Sequence, residues 1–339
     1  MTGGAAIRTG PDMGPDTGPH TGPDMGPEGA FPELPGLMPA LLGPLREIVE
    51  LKRIRRAGRS LAALGFARSW AGLAAGRPPA EVALSETAEA VAALTLGGVD
   101  AEILAAAGLA EPRIAEIRRD AIRARRYALG PAVTERLSAA APARVPKTPP
   151  PAFCARLEAE PRAGATFPGK PRLAPPLPEN HAEHCWVTGV LTVLLLGDGP
   201  DAPDDAVGEA WLLAMAHHLH NAWLPDGGYA AEMALGADLE PVLAACTERA
   251  LGDLSEALQA RVRGALAGKD DVGKRAGAAF TAADAIDRVL ELEAWETALG
   301  FRLDVALGDR QLVHPGPLQA FQTGALAALG LVPQPEAKT

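Results

Sequence analysis

Asn180-His181-Ala182-Glu183-His184-Cys185-Trp186 runs straight into Val187, Val190, Leu191, Val193, Leu194 and Leu195. This is a polar mouth on a buried helix, because apolar residues on every face leave no side for water. Two later segments repeat the design. Trp211-Leu212-Leu213-Ala214-Met215-Ala216 ends in His217-His218-Leu219-His220-Asn221, and Phe280-Thr281-Ala282-Ala283-Asp284-Ala285-Ile286-Asp287-Arg288-Val289-Leu290 sets acids into an otherwise apolar pattern. Five of the 7 histidines fall between His181 and His220.

The remainder of the chain points to an all-α fold. Ala, Leu and Gly dominate its 339 residues, aromatics make up 4%, and β-branched runs are few, which favours helix on helix over a sheet. The net charge of -10 argues against a general grip on nucleic acid, which needs clustered Lys and Arg. Small-molecule substrates fit better. Cys154, Cys185 and Cys246 show no CxxC spacing, so neither a disulfide framework nor a cysteine zinc site is indicated. No apolar run reaches the ~18 residues that span a bilayer, and no basic-then-apolar leader opens the chain. The expectation is a soluble cytoplasmic protein without a membrane partner.

Four segments follow from composition. Residues 1–40 open with the repeats GPDM, GPDT, GPHT, GPDM and GPEG, where proline and glycine preclude a core, so a disordered tail is expected in which His20 has no role. Residues 41–140 read as an N-terminal helical domain. There Leu45, Ile48, Val49, Leu51 and Ile54 alternate with Arg46, Glu47, Glu50, Lys52 and Arg53 as one buried stripe requires, and Arg118, Arg119, Arg123, Arg125 and Arg126 read as a solvated face. Residues 141–178, with Pro149-Pro150-Pro151 and Pro175-Pro176, read as a linker. Residues 179–330 hold the three polar-mouthed helices.

Burying imidazoles and carboxylates without partners costs several kcal/mol. One shared metal ion would satisfy three helices at once, since neutral imidazole and carboxylate suit a divalent transition ion. Water bound to such an ion becomes nucleophilic near neutral pH.

The order Glu183-His184, His217-His218 and Ala283-Asp284 resembles the HD superfamily of metal-dependent phosphohydrolases. The stretch His217 to Asp226, HHLHNAWLPD, is similar in spacing to the HDxxExxxxD of its 5'-nucleotidase branch. The resemblance implies an HD-like helical bundle over 179–330 whose ligands are His184, His217, His218 and Asp284. It implies hydrolysis of a phosphate ester on a small metabolite or nucleotide, with Asp226 moving a proton and His181 or His220 holding phosphate, supporting the ligands, binding a second metal or forming only a polar rim. A homo-oligomer would also be consistent with it.

Two positions depart from the pattern. His218 stands where the family has aspartate and Asn221 where it has glutamate, so the ion carries less ligand charge; Fe, Mn, Co, Ni or Zn is expected over Mg, as one or two ions. A di-iron oxygenase of HD type and a non-catalytic HD-fold scaffold are the alternatives. Several candidates also have plain structural readings. Asp226 can be a turn former in Leu224-Pro225-Asp226-Gly227-Gly228, Glu232 a complement to a helix dipole, Asp287 and Arg288 members of ion pairs, and His314 a turn residue before Pro315.

Overall fold

A computed structural model of the chain describes residues 34–197, 204–299 and 302–333. His20 and most of the proposed tail lie outside the described residues. Among those described, the fold is all-α, with one two-stranded hairpin as the exception.

The chain opens with α1 (Leu42–Val49) and a 3-10 turn, Glu50–Lys52. The antiparallel pair β1 (Arg55–Arg56) and β2 (Arg59–Ser60) follows, closing over Ala57 and Gly58 at positive φ of 49° and 84°. Such a turn is the favoured two-residue hairpin connection. Next come α2 (Leu61–Ala74), α3 (Pro79–Leu96), α4 (Ala101–Ala106), α5 (Glu111–Arg123), α6 (Arg126–Leu129), α7 (Pro131–Ala139) and α8 (Phe153–Ala159). The histidine-bearing helices are α9 (His181–Leu196) and α10 (Asp204–Ala216). Then α11 (Gly228–Leu235), α12 (Leu239–Leu251) and α13 (Glu256–Ala267) lead to the long acid-bearing α14 (Arg275–Leu299), with α15 (Leu303–Leu307) and α16 (Gln319–Ala328) closing the chain. No helix among the described residues is long and apolar enough to cross a membrane.

At the centre lies α9, buried along its whole length. Its start is fixed by a capping box: Asn180 Oδ1 accepts from the Glu183 backbone N–H at 2.9 Å, and Glu183 Oε2 accepts from that of Asn180 at 3.0 Å. Both donors would otherwise be orphaned at a helix start. Around α9 pack α2, α3, α10 and α14.

The described residues all fall in one compact unit, so the boundaries drawn at 140 and 178 do not separate two cores. The reason lies in two approaches that composition cannot reveal. Gly65 of α2 lies against the Trp186 indole of α9, so closely that an added Cβ would come within 2.3 Å of it. Trp186 Nε1 donates to buried Glu86 of α3 at 3.2 Å, and Arg68 of α2 grips the same carboxylate with two bonds of 2.7 Å. The proline-rich stretch also packs, since α8 buries Phe153 and Leu157.

Three further sequence expectations are corrected. The proposed tail is already packed by Leu34, where the Gly36 N–H donates to the Leu195 carbonyl at 3.1 Å at the end of α9. Arg118 belongs to no solvated face: it is buried, donating to the Ala140 carbonyl at 2.8 Å and to Glu89 at 3.3 Å. Lys52 is likewise 3% exposed rather than part of a polar stripe.

Gly65→Ala is expected to destabilise the protein by about 1–3 kcal/mol through overpacking against Trp186. Thermal unfolding checks this, and an unchanged Tm would show that the contact is not tight.

Candidate metal centre

The capped first turn of α9 places His184 in the core, where its Nδ1–H donates to Asp287 Oδ2 at 2.6 Å. His217 follows the last turn of α10 and donates its Nδ1–H to the Ala214 carbonyl at 2.7 Å. His218, where the chain leaves the helix, donates its Nδ1–H to Asn221 Oδ1 at 2.8 Å. Carboxylate, carbonyl and amide oxygens only accept, so these partners assign one proton to each Nδ1. That fixes three rings and leaves three Nε2 atoms for the interior, which is how metal-ligating histidines are held.

The remaining nitrogens converge. His184 Nε2 lies 3.1 Å from His217 Nε2 and 3.0 Å from Asp284 Oδ1, and His217 Nε2 lies 3.7 Å from the same oxygen. One ring nitrogen each from His184, His217 and His218 falls within 4.8 Å of the others. Ligands at ~2.0–2.1 Å around a tetrahedral ion are separated by about 3.3 Å, close to the 3.0, 3.1 and 3.7 Å separations among His184, His217 and Asp284. Two facing imidazole lone pairs repel unless a proton or cation lies between them.

Of the four sequence-proposed ligands, His184, His217 and Asp284 meet, drawn from α9, the end of α10 and α14, and a ring nitrogen of His218 lies within 4.8 Å of those of the other two histidines. Asp287, one turn beyond Asp284, is the ion-pair residue that the sequence suggested, and one of its partners is a histidine of the site. A second cluster, Glu179, His184 and Asp287, also has ligand spacing. It already holds a cation: the Lys52 ammonium contacts Glu179 and lies 2.7 and 2.9 Å from the Asp287 oxygens.

Burial dominates the protonation of these groups. It pushes the His217 pKa down to about 4, with a smaller opposing pull from Asp284, and lowers that of His218 further, with His217 and Arg162 adding to the effect. Both rings are neutral, as ligation demands. Burial and Arg162 also press on His184, yet its bonds to Asp284 and Asp287 outweigh them and raise it. A proton and a metal ion thus compete for His184 Nε2. Burial presses the Asp284 carboxyl upward, yet the ring nitrogens of His184 and His217 beside it and the positive charge of Arg288 hold it well below the carboxylate range. Glu179 is pushed up to about 7 by burial, against the pull of Lys52.

Above the cluster opens a cavity of about 370 Å³, with His217, His218 and Asp284 lining it. Its charged walls are Arg162, Lys269, Arg288 and Arg310 against Asp226, Glu232, Asp270 and Asp284. Arg162 Nη1 donates to His218 Nε2, the lone pair that would face an ion. Asp226 does form its turn, accepting from Gly228 N–H at 2.8 Å and Ala163 N–H at 2.9 Å, and it also lines the cavity. His314 stacks on Tyr229 at 4.2 Å along the same wall. Glu232 faces the cavity from the middle of α11, too far along to complement its dipole.

His181 and His220 sit beside the cluster. The His181 ring lies 4.7 Å and the His220 ring 5.5 Å from that of His218. Among the described residues, buried His181 has no hydrogen-bond partner on either nitrogen, with Asp226 Oδ2 3.6 Å from its Nε2. Burial, reinforced by Lys269, lowers His220 to about 3.

Lys52, Arg162 and Glu179 were missed in the sequence. The available signal was Asp287: a second acid on the same face of an apolar helix requires a cation somewhere. Comparison with known proteins finds no matching family model, no matching curated protein and no matching solved structure.

Five imidazoles, His181, His217, His218, His220 and His314, bind protons less readily folded than unfolded. Acid therefore favours the unfolded chain once pH falls below their unfolded value of ~6.5. His184, Glu179, Glu89 and Glu232, all raised, act in the opposite sense but are fewer. At pH 5 His217 alone removes about 2 kcal/mol. The Tm of metal-free protein is expected to fall steadily from pH 7 to pH 5, and a flat or rising profile would mean that these rings are not buried neutral.

Proposed function

We propose that the protein is a metal-dependent hydrolase of phosphate esters on small metabolites or nucleotides, with the HD-like centre that its sequence resembles. One juxtaposition carries the reading: three imidazoles anchored through Nδ1–H cluster with the Asp284 carboxylate against two of them, and His217, His218 and Asp284 open onto a cavity that holds four cationic side chains among its walls.

In this reading His184, His217, His218 and Asp284 hold a divalent Fe, Mn, Co, Ni or Zn ion. When bound, that ion supplies a Lewis acid and a water acidic enough to attack near neutral pH. The chain's own residues do the rest. Arg162 and Arg288 present guanidinium forks, whose paired donors match phosphoryl oxygens. His218 Nε2 has one lone pair, so an ion held there would take the place of the Arg162 donor that occupies it, and that guanidinium already lines the cavity. Asp226, held by two backbone N–H groups, takes or returns a proton at the leaving oxygen. The four cations and four carboxylates of the wall cancel, so a divalent charge leaves the site with about the charge that a phosphate dianion neutralises. The cavity has the size of small-molecule sites rather than of polymer grooves.

A di-iron oxygenase is the second reading. It draws on His181, which is buried without a partner among the described residues, beside His218 and Asp226.

Protein purified without chelators is expected to carry one Mn, Fe, Co, Ni or Zn per chain and to hydrolyse phosphomonoesters in a screen with that ion. His217→Ala should lose the ion and the activity together. Asp226→Asn should keep the ion while kcat drops about 100-fold or more. Two irons per chain without phosphatase activity would favour oxygenation, and protein that retains no ion would remove both readings.

A further inference from the structure

We propose that Lys52, from the N-terminal helical region, is a positioning residue for the metal centre, holding the Asp287 carboxylate that orients His184. The proposal rests on the metal-site reading above and adds to it a residue more than a hundred positions from the nearest ligand.

Lys52 ends the 3-10 turn that continues α1, and its side chain is 2% exposed. Its ammonium bonds both oxygens of Asp287, contacts Glu179 and lies 3.5 Å from Glu291. Asp287 is itself wholly buried, and its Oδ2 accepts from Lys52 and from His184 Nδ1–H together. The chain of contacts therefore runs from the ammonium through one carboxylate to the ring whose far nitrogen faces Asp284 and His217.

The neighbouring acids have other partners. Glu291 accepts from Arg53 and Trp295, each at 2.9 Å, and Glu179 has Arg162 at 3.8 Å. Asp287 has Lys52 as its cation and His184 as its other charged-group contact. Removing the ammonium would leave that carboxylate held by His184 alone, and so loosen the acceptor that sets the His184 tautomer. Stability alone is a poor account of the cluster. Buried ion pairs rarely outperform an apolar filling of the same volume, because desolvation offsets their attraction. Orienting a ligand is a use that an apolar filling could not serve.

The test is a double-mutant cycle on the full chain, with Lys52→Gln, Asp287→Asn and the pair together. The readouts are the Kd for Zn²⁺ and for Mn²⁺, by competition with a chelator, and the Tm of each metal-free protein. Lys52→Gln is expected to weaken binding about 10- to 100-fold, as loss of an orienting partner does. In the Asp287→Asn background the same substitution should cost less than about 2-fold, since Lys52 acts through Asp287. If Lys52→Gln does not fold, Lys52→Arg is run in its place. That variant keeps the charge but changes the donor geometry on Asp287, and a smaller loss in the same pattern is expected. A lowered Tm with Kd unchanged, or losses that simply add in the double variant, would overturn the positioning role and leave the metal site standing. A wild-type protein that binds neither ion would overturn both.

Discussion

The structure depends on how a fully buried imidazole is satisfied on both sides. His184 has Asp287 on one nitrogen and Asp284 with His217 on the other, and its own side chain is wholly buried. Each neighbour must therefore arrive from a separate element with its own geometry fixed. The Asn180–Glu183 capping box sets the turn that carries His184. The i, i+3 spacing on α14 puts Asp284 and Asp287 on one face, and the break after α10 turns His217 and His218 inward. In a low-dielectric core these groups cannot be left half-paired, which makes the cluster specify one packing of α9, α10 and α14.

The same constraint explains why the N-terminal helices do not form a separate body. Asp287, Glu179 and Glu291 need counter-charges, and the chain supplies Lys52 and Arg53 from beyond α1 and Arg162 from the proline-rich stretch. Gly65 and Trp186 bring α2 into contact with α9 on the other side. Helices from the first third of the chain thus close a site whose proposed ligands all lie in the second half.

Much of this was legible in the residues. The all-apolar run after Trp186, the histidine-ended helix from Trp211 and the acids within Phe280 to Leu290 identify three core helices by pattern alone, because polar groups in such positions need partners. Lys52 was not legible, since a lysine on an amphipathic helix reads as a solvent-facing residue until a distant carboxylate is known to meet it. The boundaries at 140 and 178 misled for a related reason. Proline density does rule out long helices, but not packing, and the short α8 buries Phe153 and Leu157 within it. The hairpin at Arg55–Ser60 was hidden because two-residue strands carry no periodicity, and only Ala57-Gly58 marks its turn.

The central claim is that three imidazoles and one carboxylate share a cation, and X-ray absorption spectroscopy of the metal-loaded protein at the metal edge tests it most directly. The account expects a first shell of N and O at ~2.0–2.2 Å with the outer-shell scattering of about three imidazole rings. A first shell containing sulfur, which would bring in Cys185, or one without imidazole scattering would contradict it.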